Sequence, residues 1–170
     1  MNNNALHALA WIGKILNDNN IEYCLGGGTA VHLLGSGREI NDIDISSFGK
    51  DFPKLLPLVK EYIVIGPKHY VDEKWDCVTL SLNFNGQDID LTDRDSLLMR
   101  SLDDTEWIKN KDIYEKWPYI YIEVEGVPIA VMNPKALLTY KKHLSGSHQD
   151  YDRTYLEKVV DDVEFERQKS

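Results

Sequence analysis

The sequence predicts a mixed α/β (α+β) fold in which helices flank a small mixed sheet and the C-terminal part is mainly helical. Three observations predict it. Apolar residues at helical spacing begin the chain, a strand-like run leads into a triple glycine and a short helix, and two strand pairs with tight turns follow. Elements that alternate in this way pack as layers around one core.

The composition is typical of a globular protein and narrows the function classes. The chain has 170 residues, of which 42% are apolar and 28% charged, and its formal net charge is -9. This length predicts one domain, or one domain with a small appendage. The negative net charge argues against a dedicated nucleic-acid binder, which needs a basic surface. It does not exclude a local basic groove.

Neither a membrane span nor an export signal is evident. No run approaches the roughly 20 apolar residues of a membrane span. Residues 1–4 have neither the basic region nor the apolar core of a secretory signal, so we expect a cytoplasmic protein with no membrane partner. Cys24 and Cys77 lie in apolar stretches and are predicted to be buried free thiols rather than a disulfide.

The first half of the chain alternates helices and strands. Successive predictions are a helix over 4–17, a strand over 21–25, a short helix over 29–34, a strand over 41–45, a helix over 51–62 and a strand over 62–65. Pro53 fits the first turn of the helix over 51–62, whereas Pro57 kinks or delays it.

Two tight turns organise the second half. Asn85-Gly86 predicts a hairpin between strands, and Glu125-Gly126 predicts another. Asn133 followed by Pro134 is typical of a helix start. In chain order the predictions are strands over 77–84 and 87–91, a helix over 95–102, a loop or loose helix over 103–116, strands over 119–124 and 127–131, and helices over 134–144 and 150–165.

Two carboxylates share one face of the strand over 41–45. Asp42 and Asp44 are two residues apart, while Ile43 and Ile45 point to the opposite face. Neighbouring carboxylates repel each other, and a divalent cation removes that penalty. Oxygen ligands suit Mg²⁺ or Mn²⁺. The alternative is a solvated strand face with two ordinary surface aspartates.

A glycine-rich turn lies upstream of this strand. Gly26-Gly27-Gly28 follows a predicted strand and opens a helix, so its N–H groups can face an anion. Thr29 adds a hydroxyl at the helix start. The turn is no P-loop, since no Gly-Lys-Ser/Thr follows, and its spacing does not match the dinucleotide-binding pattern. The alternative is a tight turn without a ligand.

The two features together resemble a known signature. Gly27-Gly28, a short helix and then Asp42-Ile43-Asp44 resemble the DNA polymerase β-like nucleotidyltransferase superfamily. The run 25–30, with Arg38, is similar to small bacterial nucleotidyltransferases, which include AbiEii-type toxins and the aminoglycoside and lincosamide nucleotidyltransferases. The resemblance covers roughly residues 20–92. The resemblance is weaker after residue 92, where a predicted helix with Lys141 precedes a predicted helix with Asp150.

The resemblance implies a third carboxylate on a later strand. Asp88 and Asp90 are both candidates, and alternation cannot choose between them because they share a strand face. The superfamily pattern, matched by Ile89-Asp90-Leu91, favours Asp90. The implied catalytic and metal-binding set is therefore Asp42, Asp44 and Asp90, holding two Mg²⁺ (or Mn²⁺) ions.

The resemblance also implies a nucleotide site and a division of the chain. The nucleotide-binding candidates are Gly27, Gly28, Thr29, Arg38 and Lys141. Alternatively, Arg38 is an exposed loop residue and Lys141 lies on a solvated helix face. We expect a nucleotidyltransferase catalytic core over 1–95 and a mainly helical C-terminal subdomain with a small hairpin over 96–170.

The expected activity is transfer of a nucleoside monophosphate from an NTP, such as ATP, to an acceptor hydroxyl. The acceptor could be a small molecule, a protein or a tRNA end. The alternative is a non-catalytic nucleotide-binding or regulatory module, or a component of a toxin–antitoxin pair. Asn41 motivates this alternative, because many relatives have Ser or Thr just before the first aspartate.

Overall fold

The computed structural model describes the backbone of residues 3–169 and the side chains of residues 3–162. Within that range, six α-helices flank one nine-stranded mixed sheet, which confirms the predicted fold class. The helices are α1 Asn3–Asp18, α2 Gly27–Val31, α3 Phe52–Val59, α4 Asn110–Tyr114, α5 Pro134–Lys141 and α6 Ser147–Lys169. The strands are β1 Tyr23–Leu25, β2 Asp42–Ser47, β3 Ile63–Val71, β4 Trp75–Phe84, β5 Gln87–Asp93, β6 Leu98–Arg100, β7 Trp107–Lys109, β8 Ile120–Val124 and β9 Val127–Val131.

The sheet brings the two acidic strands side by side. Its order is β7-β6-β4-β5-β2-β1-β9-β8, and β3 also pairs with β4. Strands β2 and β5 are parallel and in register, so Asp42 lies opposite Asp88 and Asp44 lies opposite Asp90. Strand β1, which leads into the glycine turn, pairs antiparallel with β2 on its other side. The carboxylates and the turn are therefore neighbours.

Both predicted hairpins are confirmed. Asn85 and Gly86 have φ of 51° and 88°, and Glu125 and Gly126 have φ of 49° and 80°. Two successive residues with positive φ match the right-handed twist of the strands that they join. The first hairpin fixes the register of β4 against β5 and so sets which side chains surround Asp90.

Helix α1 packs on one face of the sheet, and a cleft lies over the other face. Helix α1 contacts β5, β8 and β9 with its apolar side, where Leu9 and Ile12 are fully buried. Ile43 and Ile89 point into this core and are also fully buried. Alternation along β2 and β5 therefore directs the aspartates to the opposite face. Cys24 and Cys77 are buried free thiols, as predicted.

The predicted helix over 95–102 is wrong. Residues 98–100 form strand β6, in which Met99 is fully buried and pairs with Trp75. The loop prediction over 103–116 is also too simple, since β7 and the short helix α4 lie in it. Strand β3 runs to Val71 rather than ending at residue 65, because β4 provides an edge along its whole length. In β3 and β6, pairing with β4 overrides local propensity.

The start of α5 is as predicted. The Asn133 side chain accepts a hydrogen bond from the Lys135 N–H at 3.0 Å, and Pro134 is the first helical residue. This cap satisfies one of the N–H groups that a helix start leaves unpaired. No helix in the described part of the chain is long and apolar enough to cross a membrane.

Candidate functional site

Three carboxylates converge on the face of the sheet that borders the cleft. Asp42 and Asp44 on β2 and Asp90 on β5 each have an oxygen within 4.8 Å of the other two. Within the described residues they form the only group of three or more acidic, histidine or cysteine side chains that could hold a metal ion. Parallel pairing of β2 with β5 produces this arrangement.

The structure separates Asp90 from Asp88, which strand alternation could not do. Asp90 is partly buried and accepts a hydrogen bond from Ser81 Oγ at 2.5 Å. Asp88 is exposed and accepts from Asn83 Nδ2 at 2.8 Å, outside the carboxylate cluster. The neighbouring strand β4 therefore places a hydroxyl against one aspartate and an amide against the other.

The cluster concentrates negative charge in a partly buried place. Burial, together with the nearby carboxylates of Asp42 and Asp90, raises the pKa of Asp44 to about 7. Burial likewise raises the pKa of Asp90. A divalent cation such as Mg²⁺ relieves this repulsion, and carboxylate oxygens are among the oxygen ligands that it takes. The residues present therefore fit the Mg²⁺ or Mn²⁺ that the sequence resemblance implies.

The glycine turn fits closely against this cluster. The Gly26 N–H donates to the Asp44 carbonyl oxygen at 2.9 Å. Gly27 has φ of +60°, and a Cβ there would lie 2.2 Å from Asp44 Oδ2. A Cβ on Gly28 would lie 2.7 Å from Arg38 Nη1. Only glycine allows the backbone to approach both a carboxylate of the cluster and a cation this closely.

We expect Gly27→Ala to destabilise the protein by about 1–2 kcal/mol through the left-handed backbone, and to displace Asp44 as well. Gly37→Ala is the matched control, since Gly37 has φ of +71° but no atom within 4 Å of its Cβ position. Thermal unfolding should show a loss in both variants, whereas Mg·ATP binding should fall only in Gly27→Ala. Equal nucleotide binding in the two variants would contradict the predicted role of Gly27 in a nucleotide site.

Thr29 lies away from the cleft. Its side chain is 1% exposed, and its hydroxyl donates to the Asp42 carbonyl oxygen at 2.7 Å. The hydroxyl that was predicted to face a nucleotide therefore joins α2 to the start of β2. In this position it holds the glycine turn and the first aspartate together.

Arg38 and Lys141, the two predicted cations, line the cleft above the carboxylates. Both contact Asp152, which the sequence did not single out. Arg38 and Lys141 both form ion pairs with the buried carboxylate of Asp152, at 2.9 Å for Lys141. Burial lowers the pKa of Lys141. The sequence pattern pointed to Asp150 on this helix, but Asp150 is exposed and pairs with Arg153. Two aspartates on one helix cannot be ranked by burial before the packing is known.

The cleft above the carboxylates is large enough for a nucleotide. Its volume is about 1060 Å³, at the upper end of ordinary ligand sites. The glycine turn, Arg38 and Lys141 line it together with residues of strands β3 and β4. Tyr114 and Tyr140 add aromatic surface that sequence reasoning missed, because nothing in their spacing marks them as neighbours.

No protein-family model and no curated protein matches this sequence, but solved structures do. The candidate nucleotidyltransferase TM1012 of Thermotoga maritima has a TM-score of 0.67 at 18% identity, over 100% of this chain and 96% of that chain. A nucleotidyltransferase-like antigenic protein of Paracoccidioides brasiliensis has a TM-score of 0.58 at 13% identity, over 93% and 77%. ANT(2")-Ia, solved in complex with adenylyl-2"-tobramycin, has a TM-score of 0.58 at 12% identity, over 94% and 90%. The chain thus has the fold of these nucleotidyltransferases.

Proposed function

We propose that this protein transfers a nucleoside monophosphate from an NTP to an acceptor hydroxyl and releases pyrophosphate. The observation that supports this most is the convergence of Asp42, Asp44 and Asp90 beside the turn Gly27-Gly28. Phosphoryl-type transfer depends mainly on positioning and on charge stabilisation, which fixed carboxylates, cations and backbone N–H groups supply.

Each group has a role in this proposal. The three carboxylates would hold two Mg²⁺ or Mn²⁺ ions, which when bound polarise phosphate oxygens and favour deprotonation of the attacking hydroxyl. Gly27 and Gly28 present backbone N–H groups to the phosphates. Arg38 and Lys141 balance the negative charge of the departing pyrophosphate. Asp90, whose pKa is raised by burial, can accept the proton of the acceptor hydroxyl.

We also propose a division of labour along the chain. Residues 1–95 form the nucleotidyltransferase core, with the glycine turn and all three carboxylates. Residues 96–170 form the mainly helical C-terminal subdomain with its hairpin and supply Lys141 to the cleft.

The sheet order suggests from where the acceptor approaches. Attacking and leaving oxygens lie roughly in line across the transferred phosphorus. The glycine turn follows β1, and the strands then run β2, β5, β4 and β3 across the sheet, with Asp90 between the turn and β4. If pyrophosphate leaves beside the turn, the acceptor approaches over β4, past Ser81 and Thr79, which line the cleft there.

The charge of the cleft residues on β3 and β4 favours a neutral or anionic acceptor. Among the described residues that line the cleft from β3 and β4, none is acidic, and Lys68 is a cation. ANT(2")-Ia was solved with an adenylylated aminoglycoside, a polycation. We expect tobramycin to be a poor acceptor for this protein and neutral or phosphorylated sugars to be better ones, as measured by acceptor-dependent pyrophosphate release. Rapid turnover with tobramycin would contradict the charge argument.

The activity itself is tested by incubating the protein with each NTP, Mg²⁺ and a panel of hydroxyl acceptors. We expect pyrophosphate release that requires Mg²⁺ and disappears in Asp44→Ala. Binding of NTP that depends on metal but gives no turnover across a broad panel would instead indicate a non-catalytic nucleotide-binding module or a toxin–antitoxin component.

A further inference from the structure

A buried carboxylate lies behind the two cations of the cleft. Asp152 on α6 is fully buried, and its Oδ2 atom contacts both Arg38 Nη1 and Lys141 Nζ. Its Oδ1 atom has no hydrogen-bond partner within the described part of the chain. A buried ion that meets two opposite charges with only one of its oxygens is costly to maintain, so it calls for a functional explanation.

The two cations come from separate elements and would repel each other without Asp152. Arg38 follows the π-helical turn His32–Ser36 after α2, whereas Lys141 ends α5. Lys141 is 2% exposed, and burial lowers its pKa, to which the positive charge of Arg38 also contributes. A single carboxylate between them offsets this repulsion and holds both charged groups at one place. The Arg38 guanidinium thereby lies directly against Gly28 of the phosphate-facing turn.

The same helix holds the segment that leads to Arg38. Tyr151 Oη donates to the Ser36 carbonyl oxygen and Tyr155 Oη to the Leu34 carbonyl oxygen, both at 2.7 Å. Gly35, with φ of +108°, leaves room for Tyr155, because a Cβ there would lie 2.8 Å from the phenol oxygen. Helix α6 therefore fixes the backbone before Arg38 as well as its guanidinium.

Lys141 is held from the same helix by a second group. Its ammonium donates to Gln149 Oε1 at 2.8 Å in addition to its contact with Asp152. Gln149 and Lys141 both line the cleft, whereas Asp152 does not. The carboxylate consequently acts through the two cations and does not itself touch a bound ligand.

We propose that Asp152 is a positioning residue for the polyphosphate of the nucleotide. It holds Arg38 and Lys141 as a fixed pair beside the glycine turn, so that both meet the phosphates that leave as pyrophosphate. This inference rests on the proposed function, because it assigns the anion that the two cations bind. It makes α6, which lies far from the carboxylate strands in sequence, a determinant of nucleotide affinity.

The test compares Asp152→Asn with Asp150→Asn, a matched control in which an exposed carboxylate two residues away is neutralised. Binding of Mg·ATP to the full chain is measured by calorimetry, with Mg·AMP as a ligand that lacks the leaving phosphates. We expect Asp152→Asn to weaken ATP binding by about 10–100-fold, the range typical for loss of a group that orients a ligand-binding side chain. AMP binding should change little, and Asp150→Asn should resemble the wild type with both ligands.

A double-mutant cycle separates positioning from a general loss of stability. If Asp152 acts through Arg38, the loss of ATP affinity in Arg38→Ala combined with Asp152→Asn should be smaller than the sum of the two single losses. Fully additive losses, or an equal loss of AMP affinity, would overturn the proposal. If Asp152→Asn does not fold, Asp152→Glu provides the same comparison, because it keeps the charge but shifts its position.

The outcomes distinguish this inference from the proposed function. A wild-type protein that binds Mg·ATP, together with an Asp152→Asn variant that binds it equally well, overturns the role of Asp152 and leaves the proposed function standing. A folded wild-type protein that binds no Mg·NTP overturns both.

Discussion

Asp90→Asn is expected to lower the rate of pyrophosphate release by about 10²–10⁴-fold, the range typical for loss of a general acid or base. The variant also removes one of the three carboxylates that would hold the metal ions. Its matched control is Asp88→Asn, on the same strand and the same face, where the side chain is exposed and bonded to Asn83. That variant should retain a rate close to the wild type. Both rates are measured at saturating Mg²⁺ and NTP.

Circular dichroism should show that both variants keep the wild-type fold, since each change is isosteric. Equal losses in the two variants would mean that general strand charge, rather than the cluster, supports the activity. A severe loss in Asp88→Asn alone would show that Asp88, rather than Asp90, is the third carboxylate of the cluster.

Asp44→Asn is expected to stabilise the metal-free protein at the same time as it abolishes activity. Burial and two neighbouring carboxylates raise the Asp44 pKa from 3.8 to about 7. At pH values between these two pKa values, the Asp44 carboxyl group is protonated in the folded state and ionised in the unfolded state. The stability of the metal-free wild type should therefore fall as the pH rises from about 4 to about 7 and then level off. Asn removes this charge penalty.

The expected gain for Asp44→Asn in EDTA at about pH 8 is on the order of 2–4 kcal/mol, seen as a rise in Tm. At about pH 3, where both states hold the proton, the two proteins should differ little. Added Mg²⁺ should raise the Tm of the wild type more than that of the variant, because ligands that bind only the folded state stabilise it. A variant that is less stable than the wild type at the higher pH would contradict the electrostatic account.

Local patterns were sufficient to predict the core of this fold. The alternation of Asp and Ile over 42–45 requires a strand with one polar face, and Asn85-Gly86 requires a tight turn in the left-handed region. The parallel pairing of β2 with β5 is a long-range property, and only the resemblance to a known family suggested it. The choice between Asp88 and Asp90 depended on which side chains β4 places opposite them.

The errors have a common physical cause. Strand β6 was predicted as a helix, because its three residues have no strand pattern of their own and gain their pairing from Trp75 and Asp76. Asp152 was missed for the same reason, since its burial depends on the packing of α6 against the segment around Arg38. Contacts between residues distant in sequence decide both features, and no local window contains them.

The proposed function requires the three carboxylates to hold divalent cations together with a nucleotide. The most direct test is a crystal grown with Mn²⁺ and a non-hydrolysable ATP analogue, examined by anomalous diffraction. We expect Mn²⁺ density in contact with Asp42, Asp44 and Asp90, and triphosphate oxygens against Gly27 and Gly28. Nucleotide bound elsewhere, or ordered nucleotide in this cleft without Mn²⁺ at the carboxylates, would contradict the claim.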